Sequence, residues 1–125
     1  MKFSAAGQGD GLAVSAYAPG EIRIGERRFS RSLLLTPRQL IQDWGPDRVD
    51  DLQTHHVQAI ADLQPQVVIL GTGERQRFPA PRLFLLLIDL GIGHEVMTTA
   101  AACRTYNLLM AEGRAVVGAF ILPGD

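Results

Sequence analysis

The chain has only one cysteine in 125 residues, Cys103, and therefore cannot form an internal disulfide. Such sparing use of cysteine is typical of proteins in a reducing compartment. Long apolar runs are absent as well, because the longest, Leu83 to Ile88, is far too short to span a bilayer. Lys2 is the only early basic residue, and Gly7 to Asp10 interrupts the apolar residues, so no secretion signal is predicted. These absences favour a soluble cytoplasmic protein without membrane insertion.

An excess of charge of either sign is also missing. The 12 basic and 13 acidic residues nearly cancel, so no bulk field would draw the protein to nucleic acid or membranes. A hydrophobic content of 46% and a charged content of 20% are typical of a compact globular protein. The length fits one domain over residues 1–125, with residues 1–11 as a loose or edge segment.

The usual catalytic and metal-binding patterns are lacking. His55 and His56 are adjacent and His94 is distant, whereas a metal site needs ligands at i, i+4 or a cysteine-rich pair. No Gly-x-Ser-x-Gly motif is present. Cys103 falls on the apolar stripe of a predicted helix, which indicates a buried, inert thiol. We therefore predict no catalytic residue, no metal and no cofactor, and an enzyme is the less favoured class.

The segment from residue 66 to 122 carries most of the information. It reads as an apolar strand, a glycine turn, a helix over 81–90, a short strand, a helix over 99–112 and a final strand. Thr98 is the expected N-cap of the 99–112 helix. A crossover helix between two strands makes those strands parallel, so both polar turns are expected at the same carboxyl edge of the sheet. Open α/β sheets bind their ligands at that edge.

The first half of the chain predicts mainly strands. Leu12 to Ala18 alternates as a strand does, and a hairpin with a Gly-first turn is expected around Gly25 and Glu26. Ser32 to Leu35 predicts another strand. Thr36 to Gln39 has the form of a capping box. It therefore predicts a helical turn bearing Leu40, Ile41 and Trp44, followed by a helix over residues 54–63.

The predicted 81–90 helix is apolar around nearly its whole circumference, since only Arg82 and Asp89 are charged. Such a helix is covered on several sides. We expect the β-rich amino-terminal layer or a second subunit to cover it. A homodimer is the prediction if Leu83, Leu87 or Leu90 is left open.

The two polar turns predict a candidate anion site at the carboxyl edge. Backbone N–H groups of a glycine turn and the positive end of a helix both attract anions. Arg75 and Arg77 are two apart, so an extended backbone points both side chains the same way. The alternatives are a purely structural glycine turn and arginines that are solvated or brace nearby loops. The candidate residues are Gly71, Thr72, Gly73, Arg75, Arg77, Thr98, Thr99 and Arg104.

These residues together resemble a known family. Val67 to Gly73, Gly91 to Gly93, Glu95 to Thr99, Ala102 to Asn107 and Glu112 to Arg114 are similar to the family that includes the mitochondrial complex I assembly factor 3. The family also holds many small, uncharacterised bacterial and archaeal proteins. Ser32 to Trp44 fits as well, so the resemblance covers about residues 12–123. It implies an α/β fold in three layers: a central mixed β-sheet, helices on one side, and a β-rich layer plus helix on the other.

Two hypotheses of function follow. The first, implied by the resemblance, is a non-enzymatic interaction or assembly protein with a protein client. The second is a small-molecule or anion-binding domain with a site at Gly71–Arg77 and Thr98–Arg104, and an enzyme is one form that this hypothesis includes. A small anion is the partner in that case, and neither hypothesis involves nucleic acid.

Overall fold

The computed structural model describes residues 11–123, so the predicted segment 1–11 lies outside the described residues except for Gly11. The described part contains eight strands and three α-helices. Their bounds are β1 Ala16–Ala18, β2 Glu21–Ile24, β3 Arg27–Phe29, β4 Leu33–Leu35, β5 Leu40–Ile41, α1 Thr54–Ala61, β6 Val67–Gly71, α2 Leu85–Asp89, β7 Gly93–Met97, α3 Thr99–Ala111 and β8 Val116–Phe120.

Five strands form a mixed central sheet in the order β5-β4-β8-β6-β7. β6 runs parallel to both β7 and β8, whereas β4 is antiparallel to β8 and to β5. The predicted parallel pair joined by a crossover is therefore confirmed. β8 is apolar on both faces and lies in the middle of the sheet, which is where such a strand belongs.

The side chains of the sheet alternate between two apolar layers. Val67 and Ile69 of β6 pack with α3 and with the separate three-stranded sheet β1-β2-β3. Val68 and Leu70 pack on the opposite face with α1, α2 and the segment between them. The three-layer α/β domain implied by the resemblance is confirmed, with helices on one side and a β-rich layer plus helix on the other.

The strand order explains why α2 and α3 lie on opposite faces. The chain passes from β6 outward to β7 and then returns past β6 to β8. Parallel crossovers are almost always right-handed, so two crossovers in opposite directions cover opposite faces. The winding therefore reverses at the carboxyl ends of β6 and β7, the place where α/β sheets open a crevice.

The predicted helical turn after Thr36 is wrong. Leu40 and Ile41 instead form the edge strand β5, in register with Leu35 and Leu34. The Thr36 hydroxyl accepts a hydrogen bond from the amide of Arg38 at 3.1 Å, and the Thr36 amide donates to the Gln39 carbonyl at 2.8 Å. The threonine thus orders a hairpin turn, because pairing with the free edge of β4 outweighs a short local helix.

The prediction for the 81–90 helix is also corrected. A 3-10 turn over Pro81–Phe84 precedes the five-residue helix α2. Leu83 and Leu87 are buried against α1 and the sheet, so the β-rich amino-terminal layer does not cover them. That layer lies on the other face of the sheet, because the crossover from β6 to β7 places α2 on the face opposite to it. Leu90 is left exposed.

Candidate functional site

The two predicted turns do meet at the carboxyl edge of β6 and β7. The Thr72 amide donates to the carbonyl of Met97 at 3.0 Å, which extends the parallel ladder by one residue. The Gly73 amide donates to the Thr99 hydroxyl at 2.8 Å, and the Thr99 amide donates to the Gly73 carbonyl at 2.8 Å. The glycine turn and the start of α3 are therefore joined directly to each other.

This junction leaves no room for a ligand between the two turns. Thr99 is fully buried, and its hydroxyl also donates to the carbonyl of Ile121 at 2.8 Å. A Cβ atom on Gly71 would lie 2.8 Å from the Thr99 Cα. The amides of Thr72, Gly73 and Thr99 are used inside the protein, so we place no anion on them. Gly71 and Gly73 are required for close packing and for a backbone φ of +103° at Gly73.

Thr98 has the capping role that the sequence predicts. Its backbone is extended, and its hydroxyl accepts a hydrogen bond from the Ala101 amide at 3.2 Å. This bond satisfies one of the free N–H groups in the first turn of α3. Thr98 therefore begins the helix and does not line the cleft described next.

The loop after Gly73 is held in place by the buried side chain of Thr72. The Thr72 hydroxyl lies 2.6 Å from the Arg75 carbonyl, to which it donates, and it accepts from the Arg77 amide at 3.1 Å. The Gln76 side-chain amide donates to the Val96 carbonyl of β7 at 3.0 Å. These bonds fix the backbone on both sides of the two arginines.

Arg75 and Arg77 line one cleft, although residues 73–75 form a bend and not the extended backbone that the spacing argument assumed. The cleft has a volume of about 240 Å³, and Thr72 forms part of its wall. Arg48, from the segment before α1, is a third arginine on the lining, and Glu74 is an acidic residue there. Three of the eight predicted site residues, Thr72, Arg75 and Arg77, therefore belong to a common cleft.

Arg48 is the functional candidate that sequence reasoning missed. It stands just before a 3-10 turn over Val49–Asp51, far from the glycine turn in sequence. Its approach to the loop depends on how residues 45–52 pack against the sheet, and no local pattern indicates that. A long ion pair of 3.9 Å between Arg77 and Asp50 links the two segments.

Arg104 is not part of this cleft. It is exposed on α3, while its neighbour Cys103 is fully buried in the apolar layer between α3 and the sheet. Burial raises the pKa of the Cys103 thiol well above its ordinary value, and the nearby Arg104 charge offsets only part of that rise. The prediction that Cys103 is buried is confirmed.

His56 is buried and hydrogen-bonded within the fold, whereas His55 is exposed. His56 is buried, and its Nδ1 accepts a hydrogen bond from the Gln53 amide at 2.9 Å. Its carbonyl accepts from the Trp44 indole at 3.1 Å. Burial, reinforced by the neighbouring His55, lowers the pKa of His56. Across residues 11–123, no three His, Cys, Asp or Glu side chains gather as a metal site would require.

None of the helices in the described part of the chain is both long enough and apolar enough to cross a membrane.

Comparison with known proteins places this geometry in a family. The family model described as "Protein of unknown function (DUF498/DUF598)" matches residues 14–121. The solution structure of a Bordetella pertussis protein, called a Mth938-like domain, is 32% identical with a TM-score of 0.81. That match covers 100% of this chain and 92% of the other.

Two further relatives carry descriptive names. The assembly factor 3 of the NADH dehydrogenase [ubiquinone] 1 alpha subcomplex from Bos taurus is 34% identical over 115 residues, which is 90% of this chain but only 61% of the bovine protein. A "13 kDa major membrane protein" of Francisella tularensis is 29% identical over 103 residues, covering 80% of this chain and 82% of that protein. The chain belongs to the DUF498/DUF598 family and is homologous to the complex I assembly factors and to the bacterial Mth938-like domain proteins.

Proposed function

We propose that this domain is a non-enzymatic interaction protein that binds a protein client during assembly of a larger complex. The observation that carries the proposal is the 34% identity to a protein named as an assembly factor of NADH dehydrogenase, over 90% of this chain. The match spans only 61% of that relative. Binding of the same client by this chain is therefore part of the proposal.

The distribution of exposed apolar side chains supports a protein partner. Among the described residues, five large hydrophobic side chains are exposed, and four of them lie within residues 78–90. We call this group the crossover face; its centre is the pair Leu85 and Ile88 on α2, and Phe78 and Leu90 are exposed in the same segment. Apolar surface concentrated in one segment favours binding to another protein.

The shape of the crossover segment explains why it offers such a face. Leu83 and Leu87 anchor it to α1 and the sheet, so the segment is held rigidly from beneath. Leu85 and Ile88 are three residues apart on α2 and project from the same side of the helix. A partner helix or strand could therefore pack on them with little reorganisation of this domain.

Site-specific photocrosslinking in the source cells tests this proposal. A photoreactive residue at Leu85 should form adducts with one subunit of the NADH dehydrogenase complex or of another multisubunit complex. The same residue at Leu108, which is 60% exposed on α3, is the matched control and should give no such adduct. Equal adduct formation from both positions, or adducts only with abundant unrelated proteins, would contradict the proposal.

The cytoplasmic location predicted from the sequence remains part of the proposal. A relative named as a major membrane protein makes membrane association the competing outcome. After cell fractionation, we expect the protein in the supernatant, or released from membranes by high salt together with its client. Retention on membranes after the salt wash would count against the cytoplasmic location but would leave the client-binding test unchanged.

A further inference from the structure

We propose that the cleft formed by Arg48, Arg75, Arg77 and Thr72, here called the arginine cleft, binds a small dianion of the phosphate class. The proposal concerns a different surface from the crossover face and does not depend on client binding. It rests on three arginines, from two separate segments of the chain, that line one small cleft.

The first step of the argument is the arrangement of donors. Each guanidinium presents five N–H donors in a fixed planar geometry that matches the oxygens of phosphate and carboxylate groups. Arg75 and Arg77 come from the loop after β6, while Arg48 comes from the segment before α1. Three arginines along one cleft offer more donors than a single carboxylate can use, and an anion with several oxygens can accept from more of them.

The second step is the order of the loop. The Thr72 hydroxyl bonds the Arg75 carbonyl at 2.6 Å and the Arg77 amide at 3.1 Å, and the Gln76 side chain bonds β7. The backbone that carries the two arginines is therefore fixed before any ligand arrives. Binding then costs little conformational entropy beyond that of the arginine side chains.

The third step is the balance of local charge. Arg75 forms no ion pair within residues 11–123, and the Arg77–Asp50 and Arg48–Asp51 pairs are both 3.9 Å long. All four side chains of those pairs are at least half exposed. Exposed ion pairs of this kind are weak, so an anion that engages several arginines can displace them. Glu74 also lines the cleft and would oppose an anion placed on its side.

The fourth step is size. A volume of about 240 Å³ is below the roughly 300–1,000 Å³ of pockets that enclose drug-sized ligands. The chain carries a net charge of −1, so the molecule as a whole adds no long-range attraction for anions to that of the cleft. A small phosphate ester or inorganic phosphate fits a cleft of this size.

An NMR titration with inorganic phosphate tests the proposal. The expected result is a saturable shift of the amide signals of Arg75, Gln76 and Arg77 that sodium chloride at equal ionic strength does not reproduce. Arg75→Ala should weaken the apparent affinity at least tenfold. Arg82→Ala, which removes an exposed arginine that does not line the cleft, should leave it unchanged.

Arg48→Ala distinguishes the three-arginine cleft from a response of the loop alone. We expect this variant also to lose at least tenfold in affinity, although residue 48 is far from the loop in sequence. Phenyl phosphate in place of inorganic phosphate should produce shifts at the same residues if an ester is accepted. A response that survives Arg48→Ala, that chloride reproduces, or that is scattered over the surface would overturn the proposal.

Discussion

Gly71 and Thr99 occupy a space at the edge of the sheet into which no further methyl group fits. We predict that Gly71→Ala lowers the free energy of unfolding by about 1–3 kcal/mol, because the added Cβ would lie 2.8 Å from a backbone atom of Thr99. Gly93→Ala is the matched control, since its Cβ would meet its nearest atom at an ordinary 3.6 Å. Urea unfolding followed by circular dichroism measures both; equal losses would contradict the prediction.

Cys103 offers a second test at this scale, because it is the only thiol in the chain. We expect it to resist a thiol reagent in the native protein and to react fully in denaturant. Cys103→Ala should cost about 1–2 kcal/mol through lost packing, at the low end for a small buried side chain. Rapid labelling under native conditions would show that the thiol is accessible and would refute the structural role.

The raised pKa of Cys103 adds a dependence on pH. A thiol whose pKa is higher in the folded state stabilises that state fully below the ordinary pKa of the thiol. Above that value the unfolded chain loses its proton first, so stability falls as the pH rises. Urea unfolding between neutral and alkaline pH should show a shallower alkaline loss for Cys103→Ala than for the wild-type protein. Identical slopes would mean that the thiol titrates alike in both states.

At the scale of the element, one hydroxyl group makes two of the hydrogen bonds that hold the loop after β6. Thr72→Val keeps the shape of the side chain but removes its bonds to the Arg75 carbonyl and the Arg77 amide. We predict faster hydrogen exchange of the Arg77 amide in this variant, while Thr72→Ser should restore the protection. Exchange that rises equally across the core would instead indicate global destabilisation.

Helices and central strands were predictable where local chemistry and packing agree. Thr98 supplies the cap of α3, and Gly113 takes a φ of +80° just after that helix ends, so both boundaries are marked in the sequence. β5 was not predictable, because Leu40 and Ile41 form a strand only when the edge of β4 is available. Pattern alone could not show that pairing with another element would override the local capping signal.

The candidate site was likewise predictable from the sequence only in part. The spacing of Arg75 and Arg77 predicted a shared side on an extended backbone; both residues line the cleft, but the loop that carries them is bent. The sequence could not show whether the glycine turn binds an anion. The Gly73 amide donates to the hydroxyl of Thr99, which lies 26 residues away in the sequence. Arg48 could not be assigned before its segment was seen packed against the loop.

At the scale of the whole molecule, the crossover face raises the question of what covers it. A homodimer stays a prediction: we expect concentration-dependent self-association in sedimentation velocity when no client is present. Ile88→Lys should give a monomer, because it places a charge on that face, and Leu108→Lys on α3 should not. A protein that stays monomeric at every concentration would contradict the dimer and leave the client as the only partner proposed for this face.

The position of β8 has a consequence for how the chain is made. This strand is the last one in the described sequence, yet it lies between β4 and β6 and joins the two halves of the central sheet. Until residues 116–120 leave the ribosome, β4 and β6 each carry an unpaired edge, and such edges promote aggregation. The central sheet therefore cannot close until residues 116–120 have been made. A chain that stops before Val116 should depend on chaperones and be degraded rapidly.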